Sequence, residues 1–358
     1  MSDTSQFNEL QPKKKKKKSV LGYVIAIVFL SIITLASLGV AYQSVKLYKD
    51  EVKKNEETVV EVTYTQEEVD EMVKLAREDA AEQATAGFYA ELKDTAENSN
   101  GIVSMLRKMY PEYFVYYNNN HYEFVEIDHT IPQANFENEN IIASEGFLEY
   151  KVDGETQSVK GIDVSKFQGD IDWEKVKAGG VEFAIIRVGY RGYGSGEIVE
   201  DEKAKQNLEG ATKAGIKVGV YFYSQAITVE EGIEEADFVL KLIKDYDITY
   251  PVVFDTEPVS EGVSRMDDLT GDEISDIAVE FCKRIENKGY KPMIYANLRW
   301  FLLTLNCDKL EGYDKWFAGY DKTLYFPYEI KMWQYSETGY VDGIDTQVDL
   351  DICFSDYE

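Results

Sequence analysis

The chain has 358 residues, with 66 Asp+Glu against 38 Lys+Arg and a formal net charge of −28. That length suits two domains, or one large domain with appendages, and 44% hydrophobic residues with 13% aromatics are enough to build a core. The charge excludes nucleic acid as the main partner, because phosphate binding needs a basic face. Three cysteines exclude a disulfide-rich scaffold.

Lys13 to Lys18 form an unbroken hexalysine, and no residue from Ser19 to Tyr42 is charged. The apolar run is long enough to cross a bilayer as a helix. With positive charge kept inside, the pattern predicts a cytoplasmic basic tail over 1–18 and a transmembrane signal-anchor over 19–42. The rest of the chain then lies outside the cell membrane, in an envelope of the Gram-positive type. Gly39-Val40-Ala41 resembles a cleavage site, but the run exceeds the roughly 7–15 apolar residues of a signal-peptide core, which favours an uncleaved anchor. The hexalysine also suits anionic lipid on the inner leaflet.

Residues 43–100 are rich in Glu, Lys and Ala. Val69, Val73, Ala76, Ala80, Ala84, Phe88 and Leu92 recur at helical spacing. One thin apolar stripe cannot form a core, so this is a helical stalk, with stalk-mediated self-association as a loose coiled coil as one option. From 101 to 159 the pattern becomes a small α+β spacer. YFVYY, three asparagines at 118–120 and HYEFVEI predict a hairpin, and GFLEYKV before Asp153-Gly154 predicts another strand. His121 and His129 fall here and are expected to be surface residues.

From residue 160 to 358 the pattern is regular. Short apolar runs occupy 160–164, 182–188, 217–223, 251–255, 292–296, 315–320, 331–335 and 346–352. Helical patterns separate the first five: Trp173–Ala178, Glu200–Ala214, Val229–Lys244 and Asp272–Lys288. Gly179-Gly180, Gly215 and Gly289 stand at C-cap positions. The last three strands follow through shorter links. Eight strands in this length predict an α/β fold, a compact TIM-like barrel whose last part has lost full helices. A doubly wound sheet would want a Gly-rich phosphate loop after its first strand, and residues 161–169 do not form one. Cys282 lies in a helical pattern as a small apolar residue, and pairing of Cys307 with Cys353 stays open.

Barrel enzymes place their chemistry at the C-terminal ends of strands. Those ends offer Asp163, Arg187, Tyr221, Tyr223, Asp255, Glu257, Tyr295, Asn297, Trp316, Tyr320, Trp333 and Asp349. Asp255 and Glu257 are two apart on an extended chain and share one face. Crowded carboxylates repel, which raises the pKa of one and keeps it protonated, the state that protonates a leaving glycosidic oxygen. Pro258 biases Glu257 toward an extended conformation. Beyond Gly161 there is no histidine. This excludes His-ligated zinc hydrolases, Ser-His-Asp hydrolases and Cys-His peptidases, and neither a metal nor a cofactor is expected. Carboxylate acid–base work remains, and the Trp and Tyr faces suit pyranose rings.

The segments GIDVSKFQGDIDW (161–173), FAIIRVGYRGYG (183–194), GVYFYSQA (219–226), PVVFDTE (251–257), MIYAN (293–297), WFAGY (316–320), MWQYSETGYVDGID (332–345) and VDLDI (348–352) resemble glycoside hydrolase family 25, the muramidases. The resemblance covers about residues 160–358, in order. It implies a (β/α)5β3 barrel and hydrolysis of the β-1,4 bond between N-acetylmuramic acid and N-acetylglucosamine in peptidoglycan glycan strands. By motif position Glu257 resembles the family's catalytic acid and Asp255 its partner, with Asp163 and Asp349 as two further acids. The resemblance also implies a retaining course in which the substrate's own N-acetyl oxygen attacks; the residues alone leave direct attack by water open. Arg187, Tyr221, Tyr223, Tyr295, Asn297, Trp316, Tyr320 and Trp333 are the candidate substrate contacts. Two departures stand out. Tyr221-Phe222-Tyr223 replaces a common Tyr-His-Phe, and Ala204 replaces Phe in the stretch from Asp201 to Asn207.

Two functions compete: a membrane-tethered muramidase, and a catalytically silent wall-glycan-binding or scaffold protein. Release of new reducing ends from peptidoglycan separates them.

Overall fold

The computed structural model describes residues 20–54, 64–98, 102–118, 120–259, 262–320 and 323–357. The chain divides into two compact units, Met1–Tyr110 and Pro111–Glu358.

The first unit holds α1 (Val20–Lys54), α2 (Gln66–Asn98) and α3 (Val103–Met109). A reciprocal pair starts α2: the Thr65 amide donates to Glu68 Oε2 at 2.8 Å, and the Glu68 amide donates to Thr65 Oγ1 at 3.3 Å. Along α2 the stripe residues are exposed (Val69, Ala84, Phe88) or half-buried (Val73, Ala76, Ala80, Leu92), none of them fully buried, as a stripe too thin for a core requires. Among the described residues no helix is long and apolar enough to cross a membrane, so the anchor expected over 19–42 is not recovered there. The basic tail and Ser19 lie outside the described residues, as do the side chains of residues 20–30.

The second unit begins with the expected hairpin, β1 (Tyr113–Asn118) against β2 (His121–Glu126), Asn118 pairing with His121. Asn120 turns the chain at φ 64°, a left-handed conformation that asparagine tolerates. A small antiparallel sheet follows: β3 (Ile141–Ser144), β4 (Phe147–Val152) and β5 (Glu155–Thr156). Asp153 and Gly154 make the β4–β5 turn at φ 52° and 85°.

Then come β6 (Val159–Val164), α4 (Trp173–Ala178), β7 (Phe183–Arg191), β8 (Ile198–Glu200), α5 (Ala204–Lys213), β9 (Lys217–Tyr223), α6 (Val229–Ile243), β10 (Val252–Asp255), α7 (Gly271–Glu286), β11 (Pro292–Asn297), β12 (Asp314–Ala318), β13 (Met332–Gly339) and β14 (Val348–Cys353). Strands pair in the order β6-β14-β13-β12-β11-β10-β9-β7, and a β6–β7 pairing closes the ring of eight. All neighbours run parallel except β14, which is antiparallel to both β13 and β6. The short β8 pairs antiparallel with the end of β7. It takes up Glu200, where the helical pattern places the start of α5, and the helix begins instead at Ala204. Four helices separate the first five ring strands. After β11 there is only a π-helical turn, Trp300–Thr304, where a (β/α)5 arrangement would put a fifth helix.

Helix starts follow their caps. Thr228 opens α6, accepting from the Glu231 amide at 3.2 Å. Thr270 opens α7 in a capping box with Glu273. Gly180, Gly215 and Gly289 end their helices at positive φ, as the C-cap reading predicts.

Ring strands are apolar on both faces, as strands with both faces covered must be. Ala184 and Ile186 face outward into a core shared with the helices. Phe183 and Ile185 face inward with Tyr250, Val253, Met293 and Met332. Phe183 stacks on Tyr250 at 4.6 Å and forms the floor of the ring. Gly161 is required there, because any Cβ would collide with the Phe183 ring.

Residues 111–158 cover the strands that lack helices. Phe114 stacks on Tyr325 at 4.3 Å. The Ala134 amide donates to the Pro327 carbonyl and the Glu329 amide to the Pro132 carbonyl, both at 2.8 Å. The Asn138 amide side chain clamps both backbone groups of Leu324. All three cysteines are free and buried. His121 and His129 are exposed and sit near Glu123 and Glu112.

Candidate active site

Strand pleating places the acids. Asp163 on β6 pairs directly across from Asp349 on β14. Asp351 points to the same face two residues deeper, since side chains alternate with period two. Asp255 ends β10 level with Tyr223 on β9 and Tyr295 on β11, and Glu257 follows on the same side.

Two adjoining cavities open at this end of the ring and share Tyr221, Asp255 and Glu257. The first arm, about 290 Å³, is also lined by Asp163, Asp349, Glu337, Tyr295, Trp316, Tyr320 and Gln334. The second, about 450 Å³, is also lined by Arg187, Tyr193, Tyr223, Pro258 and Val259.

Gln334 organises the first arm. Its Nε2 donates to Asp163 Oδ2 at 2.7 Å, and its Oε1 accepts from the Tyr295 and Tyr320 hydroxyls, each at 2.9 Å. Trp316 Nε1 donates to Asp351 Oδ1 at 2.9 Å. Asp255 Oδ1 is buried with no hydrogen-bond partner. Among the described residues, no group of His, Cys, Asp and Glu is arranged to hold a metal ion.

Burial is the largest cause of every shift in this cluster. It raises Glu257 to about 7, with the Asp349 charge adding to it. It raises Asp349 to about 6, helped by Glu337 and opposed by a hydrogen bond from Asp163. Asp163 is pushed well above the carboxylate range, with Asp349 and Asp351 adding and the Gln334 bond opposing. Asp255 is pushed well up too, with Glu257 adding and Arg187 opposing. Asp351 is likewise raised, against donation from Trp316 and Asp163. The cluster thus retains protons near neutrality, with Glu257 poised to give or take one there.

Of the twelve sequence-derived residues, ten line the two arms. Asn297 and Trp333 do not. Asn297 Oδ1 accepts from the Trp300 amide at 3.0 Å and caps the helical turn after β11. Trp333 is fully buried on the outer face of β13, where Nε1 donates to the Gly319 carbonyl at 2.8 Å. Its neighbours Met332 and Gln334 face inward, so Gln334 occupies the position assigned to Trp333. Sequence reading also missed Glu337, Asp351 and Tyr193. Asp349 reaches the mouth at the start of its strand, because β14 runs backwards.

The model of the family described as Glycosyl hydrolases family 25 matches residues 162–344, just over half of the chain. The chain belongs to that family. An autolytic lysozyme of Clostridium acetobutylicum is 29% identical over 194 residues, which is 54% of this chain and 55% of that protein. Lysozyme M1 of Streptomyces globisporus is 34% identical over 84 residues, covering 24% of this chain and 26% of its own length. A family 25 glycosyl hydrolase structure from Bacillus anthracis aligns with 58% of this chain and 93% of its own, at 21% identity and a TM-score of 0.46. The chain therefore spans little more than half the length of the autolytic lysozyme. Asp163, Asp255 and Glu257 lie inside the family 25 match, whereas Asp349 and Asp351 lie beyond it. Those two acids enter the site through their register with β6.

Proposed function

We propose that this glycoside hydrolase is a muramidase that hydrolyses the β-1,4 bond between N-acetylmuramic acid and N-acetylglucosamine in peptidoglycan. The observation that carries the reading is Glu257 in a cleft shared with Asp163, Asp255 and Asp349, held protonated up to about pH 7 by burial and by the Asp349 charge. A carboxylic acid in that state protonates the glycosidic oxygen as the C1–O bond breaks. The acetamido carbonyl oxygen of the substrate bonds to C1 from the opposite face. Asp255, whose Oδ1 lacks a partner, accepts the acetamido N–H and orients the group. Glu257, now ionised, takes a proton from the water that attacks C1, and the bond from C1 to the acetamido oxygen breaks as the new C1–O bond forms, restoring the acetamido group. The product then keeps its anomeric configuration, which labelled water and product-anomer analysis read directly.

The uncharged run over 19–42 and the hexalysine before it support a membrane tether with the catalytic unit outside the cell. Cutting is then confined to wall glycan close to the cell surface, and membrane fractionation of the expressed chain tests the tether.

The full chain is incubated with purified peptidoglycan and new reducing ends are counted. Release by the native chain and its loss in Glu257→Gln is the expected result. Equal release by both would remove Glu257 from its role, and no release by the native chain would leave the binding or scaffold reading.

A further inference from the structure

The second arm contains a charge that the catalytic steps leave unused. Among the described residues, Arg187 is the one cation lining either arm. Its partners hold it from behind. Nε donates to Asp201 Oδ2 at 2.7 Å. The guanidinium lies 5.0 Å over the Phe167 ring and 5.7 Å over that of Tyr190. Asp201 is itself fully engaged, its Oδ2 also accepting from the Lys166 amide and its Oδ1 from the Lys203 amide. Among the described residues, neither terminal nitrogen of Arg187 has a hydrogen-bond partner. A β-bulge between Arg187 and Gly189 fixes the aim of the side chain.

A guanidinium clamped at Nε with two free terminal nitrogens is a fork for a carboxylate. The surrounding cleft carries Asp255, Glu257 and, in the first arm, Asp163, Asp349 and Glu337. For a ligand with its own negative charge, Arg187 is the one fixed positive charge among the residues lining that cleft. The arm's other walls are the rings of Tyr193, Tyr221 and Tyr223 and the apolar Pro258 and Val259.

Resting on the muramidase reading, we infer that the second arm is the subsite for the carboxylate carried by the muramyl substituent, and that Arg187 makes the enzyme select glycans bearing it. The carboxylate belongs either to the lactyl ether itself or to the peptide attached to it. Arg187 also opposes the upward shift of Asp255, so its loss disturbs catalysis on any glycan. Selectivity between substrates, measured as binding, separates the two effects.

The test uses the full chain in the Glu257→Gln background, where bound glycan is not cut. Three strands are titrated: peptide-free strands with lactyl carboxylates, the same strands with those carboxyls reduced to alcohols, and peptide-bearing strands. Carboxylate strands are expected to bind about tenfold tighter than reduced ones, with the preference falling as salt rises. Adding Arg187→Gln should bring the ratio near one, and Arg187→Lys should keep part of it. A preference strongest on peptide-free strands assigns the lactyl carboxylate, and one strongest on peptide-bearing strands assigns the peptide. A ratio unchanged by Arg187→Gln, or no preference to begin with, overturns the inference. Failure of the native chain to release reducing ends would sink the muramidase reading and leave this binding result standing.

Discussion

Replacing Glu257 by Gln should make the protein more stable, and only above the ordinary glutamate pKa, with the gain reaching its full size near neutral pH. The ordinary value for Glu is 4.5, and in the folded chain Glu257 rises to about 7. Between those values the folded state keeps a proton that the unfolded state has released. Stability therefore falls as pH rises through that window, and the loss persists above pH 7. Each pH unit of difference is worth about 1.4 kcal/mol, so an ionised Glu257 costs the fold about 3 kcal/mol. Glutamine has nearly the same shape and no proton to lose. The variant should match the native chain near pH 4 and exceed it by about 2–3 kcal/mol at pH 8. Urea unfolding followed by tryptophan fluorescence reads this directly, because Trp316 and Trp333 lie on ring strands and Trp173 and Trp300 on the helical segments that link them. A variant no more stable than the native chain at pH 8, or equally shifted at both pH values, would refute the claim that burial stores this cost at Glu257.

Asp349 adds to the rise of Glu257 and is itself ionised above about 6. Asp349→Asn should therefore lower the Glu257 pKa and move the alkaline limb of the activity profile to lower pH, by about one unit or less, since burial is the larger cause. The limb is read independently of the drop in absolute rate. Gln334→Leu strands Asp163, Tyr295 and Tyr320 at once, and should lower stability by at least about 1–3 kcal/mol and activity with it; urea unfolding and reducing-end release measure the two. Phe114→Ala removes a ring stacked on Tyr325. It should destabilise the ring by about 3–5 kcal/mol in the same fluorescence assay if residues 111–158 are part of its fold.

The ring was largely legible because its signals are local. Eight apolar runs, the helical patterns between the first five, and the glycines after those patterns each act over a few residues. What failed depended on facing. Trp333 and Gln334 are adjacent, and which one enters the cleft is decided by the phase of the pleat, which composition does not fix. The signal available was a lone glutamine inside an apolar strand, a residue that needs partners when buried. Asn297 precedes a turn too short to show helical periodicity, so its role as a cap was hidden. Glu337 lies four residues beyond Trp333 and Asp351 two beyond Asp349, and only register places them. The short β8 displaced the predicted start of α5 by folding back on the end of β7 as a hairpin, Arg191 opposite Ile198, where three residues are too few to show strand periodicity.

The reversed strand links the chemistry to the rest of the architecture. In an all-parallel ring every strand brings its last residues to the mouth, whereas β14 brings its first. Its antiparallel pairing with β6 sets Asp349 directly opposite Asp163, an arrangement that two ionised carboxylates would resist. A proton retained on Asp163 removes the conflict, and Gln334 from β13 and Trp316 from β12 fix the geometry around it. Half of the acid cluster and its orienting groups therefore come from β12–β14, the strands without helices. Their outer face carries Trp333 and Tyr335, which would otherwise be left in water. Ile131 and Phe147 share a core with them, and the Leu148 amide donates to the Tyr335 hydroxyl at 3.1 Å. Residues 111–158 thus do the work of the missing helices. A substitution in that cover should reach the site through β13, where Trp333 and Tyr335 face the cover and Gln334 between them faces Asp163.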